Sequence, residues 1–289
     1  MDLLTLEQVS LVAIALIYMI FDVFNKRNIP NVVVYASLAY GILIALVSFS
    51  SLTWISFCIA AMILGFGYLI YKIGQLGAAD IFEFAVLSLI MPFQTVYYTL
   101  GATQLPFILA VLINTGVVAL ILVPIYYIPK GYIVADGLIK TIDKKDFFKA
   151  IVLGATYLFF IGFLVFAVGI DLLQFTLVTV LMLCSIAIVL FEKLITRSMV
   201  QYIKVGGFDG GDIIAVNLMS QKDVAKAKRD IKAFGRLVTD DLINEMKEKH
   251  IRTEFPVYKK AMPLAVAIFA AVLLALTVGN LLLFILMPA

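Results

Sequence analysis

Two aspartates stand where an apolar helix meets a polar flank. Asp22 closes the first apolar run, in Phe21-Asp22-Val-Phe-Asn-Lys26-Arg27-Asn28-Ile29-Pro30-Asn31, and Asp80 opens another, after Gly74-Gln-Leu-Gly-Ala-Ala. A carboxylate facing lipid costs several kcal/mol, so each is expected to face protein or a water-filled cavity. If the two meet, they cannot both ionise cheaply and must share a proton. An ionised carboxylate can then take a proton from water while its protonated partner polarises a carbonyl, which is hydrolytic chemistry at a peptide bond. Other routes are thin. His250 is the only histidine and lies in a charged segment, which removes HExxH metal sites and histidine-based nucleophilic catalysis. Cys58 and Cys184 lie in separate apolar runs, so neither a CxxC zinc site nor a disulfide is expected. No metal and no cofactor is predicted.

The elements that must position these acids are membrane spans. The chain has 289 residues, 63% of them hydrophobic and 14% charged, with a mean hydropathy of +1.09. Soluble domains hold about 45–50% apolar residues. The fold class is therefore all-α, a polytopic helical bundle. At about 20 residues per span, eight are read: 9–24, 31–49, 53–72, 81–99, 105–128, 148–170, 174–191 and 262–286. The first is a retained span, since no positive residue precedes it and no cleavage site follows. Pro92 is expected to kink or shorten the fourth, and Pro106 and Pro124 to flank the fifth. All 22 Lys and Arg residues fall after odd-numbered spans. The positive-inside rule then puts both termini outside and the basic loops in the cytoplasm. Asp22 and Asp80 both come out near the cytoplasmic face of the cell membrane.

Domain boundaries follow: a membrane helical domain over 1–193, with 148–191 as an inserted hairpin; a cytoplasmic segment over 194–260; and the last span within 261–289. Ser220-Gln-Lys-Asp223 is a capping-box variant that opens a charged helix ended by Gly235, and Thr239 caps a second helix reaching about Lys249. This is read as a small helical subdomain that does not fold firmly alone. Gly206-Gly207-Phe-Asp209-Gly210-Gly211-Asp212 competes with the Asp80 string, but only Ile213–Met219 follows it, too short to span, and its flanks are polar. Asp212 is expected to be solvated and structural. For Asp80 the bland alternative is helix capping at a favourable dipole end; Glu83 reads equally as a snorkelling surface acid or as a neighbour that raises the pKa of the two aspartates. Lys26 and Arg27 are topology signals first, with lipid headgroups as secondary partners.

The string from Asp22 to Asn31 resembles the first catalytic motif of the type IV prepilin peptidases, the family that includes the archaeal preflagellin peptidases. Gly77-Ala78-Ala79-Asp80 resembles their Gly-x-Gly-Asp motif, with an alanine at the middle glycine and Phe82 where the family carries a lysine. Thr239-Asp240-Asp241 and the last span opened by Phe255-Pro256 and Met262-Pro263 also fit archaeal members. Spans six and seven are not covered by the resemblance. It implies a membrane aspartic endopeptidase of the GxGD type, with Asp22 and Asp80 catalytic. Its substrate would be a prepilin- or preflagellin-like protein whose short basic leader is cut at the cytoplasmic face. The cysteine-rich loop of methylating bacterial relatives is missing after span one, so cleavage without methylation is expected. Nucleic acid is not an expected partner, and the oligomeric state is left open.

Two other classes fit intramembrane acids. A transporter could bind a cation or relay protons through Asp22 and Asp80, but both lie near one interface rather than the midplane, and no paired repeat is visible. A presenilin-like protease also uses two aspartates, yet no Pro-Ala-Leu element lies near the last span.

Overall fold

The computed structural model describes residues 3–25, 28–48, 53–91, 93–98, 101–134, 143–231, 234–249 and 254–286. Five of its helices are long and apolar enough to cross a membrane: α1 (Leu3–Phe24), α3 (Thr53–Lys72), α5 (Phe107–Val134), α6 (Lys144–Phe163, continued by a π turn to Val168) and α7 (Leu172–Leu190). The protein is a multi-pass, predominantly helical membrane protein. Two more apolar helices are shorter, α2 (Asn31–Val47) and α11 (Leu264–Thr277).

α4 (Ala78–Ile90) departs most from expectation. It covers about 20 Å, less than the ~30 Å hydrocarbon core, instead of spanning 81–99. The reason is local. Proline at 92 offers no N–H, and the residue before a proline is pushed out of the α region; the cap residue Met91 is extended, with φ −133° and ψ 94°. The Thr- and Tyr-rich stretch that follows suits strands. It pairs as an antiparallel hairpin of β1 (Phe93–Tyr98) and β2 (Gly101–Pro106), in register Phe93 with Pro106. Every residue of α4 from Phe84 to Ile90 is buried, because α1, α2, α3 and α5 all pack around it. A helix apolar on every side belongs in such a position.

Close approach to α4 depends on glycine. A methyl group on Gly67 of α3 would overlap the side chain of Ile81. On the far side of α4, Gly41 of α2 faces Val86 and Leu89. α1 and α2 run antiparallel, joined by hydrogen bonds between Ser10 Oγ and Tyr40 Oη at 2.7 Å and between Tyr18 Oη and Ser37 Oγ at 2.8 Å.

The last predicted span, 262–286, is two helices rather than one. α11 ends at Thr277 and α12 runs over Leu281–Leu286. Gly279 between them takes φ +83°. Breaking a helix inside a membrane frees backbone groups that must be satisfied within the protein. Buried Asn114 of α5 does this: its Nδ2 donates to Gly279 O at 2.8 Å and its Oδ1 accepts from Leu281 N at 3.0 Å. Asn280 Oδ1 accepts from Leu282 N at 2.9 Å. α5 runs on to Val134, past the expected end at 128, with Pro124 and Pro129 inside the helix.

The α6–α7 hairpin packs on α5 through α7, around Ile161, Leu164, Val178 and Leu181. α8 (Glu192–Met199) returns to α5, and Lys193 Nζ pairs with Asp143 Oδ2 at 3.1 Å, tying the two ends of the hairpin together.

The segment after α8 holds β3 (Gln201–Ile203), α9 (Gln221–Asp230), α10 (Asp240–Glu248) and β4 (Phe255–Val257), and β3 and β4 pair antiparallel. It has its own core of Ile214, Ile231, Val238, Leu242, Met246, Phe255 and Val257. Ser220 Oγ accepts from Asp223 N and Thr239 Oγ1 from Leu242 N, the two predicted caps. α9 stops at Asp230, before Gly235.

Candidate active site

Chain direction alone brings the two acids to one end of the bundle. α1 descends to Asp22, α2 and α3 return and descend again, and α4 starts at the end where α3 finishes. Asp22 is 6% exposed. Its Oδ2 accepts a hydrogen bond from the backbone N–H of Ala265 at 3.2 Å. Ala265 lies in the first turn of α11, where N–H groups have no partner inside the helix. The N-cap residue is Pro263, which has no side-chain acceptor to offer. Asp22 of α1 therefore caps α11, and the helix dipole favours a carboxylate there.

Asp80 is the third residue of α4 and half-buried. Its Oδ2 accepts from Gly77 N at 3.2 Å, folding the carboxylate back over the start of its own helix. This explains which glycine the turn needs. A Cβ on Gly77 would sit 2.9 Å from Asp80 Oδ2, although its φ of −70° is open to any residue. Ala78 and Ala79 already lie in the first helical turn, so an alanine at the middle position costs nothing in backbone conformation. Gly74, at φ +72°, is the residue that needs the left-handed region, and a Cβ there would lie 3.6 Å from Ile213 and from Arg236 of the segment after α8. Phe82 packs against the apolar core.

Glu83 is a third member that the sequence flagged but left undecided. It is fully buried, which excludes snorkelling, and it lies within electrostatic reach of both Asp80 and Asp22. Neither carboxylate oxygen has a hydrogen-bond partner among the described residues. Tyr18, one helical turn before Asp22, also lies within electrostatic reach of Glu83 and Asp80. Ser37 donates to Val34 O at 2.9 Å, so Tyr18 must donate its proton to Ser37 rather than to the acids. Among the described residues, no three His, Cys, Asp or Glu side chains are grouped to hold a metal ion. The arrangement suits water activation and proton sharing between carboxyls beside an apolar helix packing.

Asp212 is not part of this group. Its Oδ2 accepts from Asp209 N at 2.8 Å and pairs with Lys259 Nζ at 2.8 Å. Lys259 also pairs with Asp209 at 2.5 Å. The expectation of a solvated acid is corrected in detail: its side chain is 13% exposed and ion-paired across the loop. Burial draws the Lys259 ammonium toward deprotonation, but the two carboxylates together outweigh it and hold the group above the ordinary lysine range.

Residues 9–124 match the type IV leader peptidase family. The match takes in α1 to most of α5, and with them Asp22, Asp80 and Glu83; it does not extend to the soluble segment or the last helices. No curated protein and no solved structure matches the chain.

Proposed function

With a type IV leader peptidase segment over residues 9–124 as the premise, we propose that the chain is an aspartic endopeptidase with Asp22 and Asp80 as its catalytic pair. It removes the short basic leader of prepilin- or preflagellin-like proteins at the cytoplasmic face. The observation that supports this reading is that both motif acids act electrostatically on the same buried carboxyl, Glu83. The substrate's apolar helix docks among the spans and its scissile bond lies at the inner interface. One carboxylate of the pair takes a proton from the attacking water. The other, protonated, polarises the carbonyl and later supplies the leaving amine. The Ala265 N–H orients Asp22, and the Gly77 N–H orients Asp80.

Both termini lie outside, and the segment 194–260 is a cytoplasmic domain continuous with the site through Gly74. The 148–191 hairpin is an addition to the catalytic bundle. Cleavage proceeds without methylation of the new N-terminus, which the mass of the processed product reads directly. The test is processing of a co-expressed substrate in membranes. Asp22→Asn and Asp80→Asn each abolish it, and Asp212→Asn leaves it near normal. Normal processing by either of the first two removes the claim.

A further inference from the structure

Glu83 sits three residues beyond Asp80, about 4.5 Å deeper along α4. It is walled by an apolar bundle, with Ile81, Phe84, Ala85 and Leu87 buried on the same helix. Buried carboxylates in folded proteins are almost always hydrogen-bonded, and an orphan calls for a physical account. Both Glu83 oxygens are orphaned among the described residues. The neighbouring hydroxyl of Tyr18 is committed to Ser37. Asp22 and Asp80 each have Oδ2 engaged by a backbone N–H, so Glu83 alone presents an acceptor pair with both oxygens uncommitted. A glutamine or methionine would fill the same volume without placing a carboxyl among two others. Packing therefore does not account for it.

We infer that Glu83 receives a cationic side chain, lysine or arginine, belonging to the polypeptide that is cut at Asp22 and Asp80. The inference rests on the peptidase reading and names a substrate feature recognised by the same site. The entry is short. Gly77 and Ala78 are exposed and Asp80 is half-buried, so a bond held at Asp80 lies near the surface with Glu83 below it. The four-carbon stem of a lysine spans about one helical turn. Two uncommitted carboxylate oxygens match the fork of a guanidinium or two protons of an ammonium. With the cation in place, the most buried acid of the site is paired, and the peptide backbone is held at a fixed distance above it. Discrimination then comes from an unpaired buried acid whenever the substrate lacks the charge.

The experiment uses the full-length protein in lipid nanodiscs. The probes are preproteins that differ at single positions on the leader side of the cut, carrying lysine, arginine, glutamine or glutamate. At one position the wild type loses on the order of ten- to a hundredfold in kcat/KM when the basic residue becomes glutamine, mainly through KM. Glu83→Gln cleaves both probes at similar rates and is at least as stable to heat as the wild type. Glu83→Lys shifts the preference toward glutamate at that position. An unchanged basic-to-neutral ratio in Glu83→Gln overturns the inference, as does a wild type that cleaves all probes alike; both leave the peptidase reading standing. A wild type that cleaves none of the probes removes that reading and this inference with it.

Discussion

Replacing Gly77 by alanine separates the position of a carboxylate from the stability of the fold. The added Cβ would stand 2.9 Å from Asp80 Oδ2, closer than a carbon and a carboxylate oxygen can rest. The obstructing atom is the end of a side chain, so the carboxylate rotates away and the backbone stays. The cost to the fold is the loss of one hydrogen bond at 3.2 Å and of a glycine cap, together about 1 kcal/mol for a half-buried group. If Asp80 is one of the two catalytic acids, the cost to catalysis is larger. A catalytic group displaced by about 1 Å loses on the order of a hundredfold in rate, or about 2.7 kcal/mol of transition-state stabilisation. Gly77→Ser is the control. Its hydroxyl can cap α4 and restore stability while its Cβ meets Asp80 as alanine's does. Processing of a co-expressed preprotein, followed by gel mobility, and thermal unfolding in detergent measure the two quantities on the same preparations. Both variants should be folded and slow. Wild-type processing by either would refute the idea that the Gly77-directed orientation of Asp80 is needed. Gly67→Ala is the contrasting case: it overlaps Ile81 of the central helix and should lose about 1–3 kcal/mol of stability as well as activity.

Asn114→Leu leaves Gly279 O and Leu281 N without their partner inside the bundle, and should cost about 2–4 kcal/mol in thermal unfolding; Asn114→Ser, which keeps a polar group there, should recover part of it. The Lys259 ammonium, held above the ordinary range, favours the folded state fully at neutral pH. That contribution is lost only as pH rises through the raised value, so the loop holding Asp209 and Asp212 should become open to proteolysis in alkali. Lys259→Met should show the same opening at neutral pH and no further change in alkali.

The order of the apolar runs made it legible that Asp22 and Asp80 lie toward one end of the bundle, because each span reverses the direction of the chain. The caps at Ser220 and Thr239 were legible for a related reason, since a cap is a contact over three residues. Partners far along the chain were not. Ala265 N lies 243 residues from Asp22, and Asn114 lies 165 from Gly279. The break at Gly279 is hidden in an apolar run for the same reason: its stabilising side chain sits on another helix. The length of α4 was misjudged because apolar content continues past Pro92 while the backbone does not. Glu83 could not be assigned from spacing, since only the packing of four helices around α4 decides whether that face meets lipid or protein.

The bond between Asp22 and the start of α11 has a consequence for biogenesis. One end of this latch is made 243 residues before the other. Until α11 inserts, Asp22 lacks the Ala265 N–H that its carboxylate accepts from. If Asp22 is one of the catalytic acids, its orientation, and with it hydrolytic competence, arrives only with the closing of the bundle.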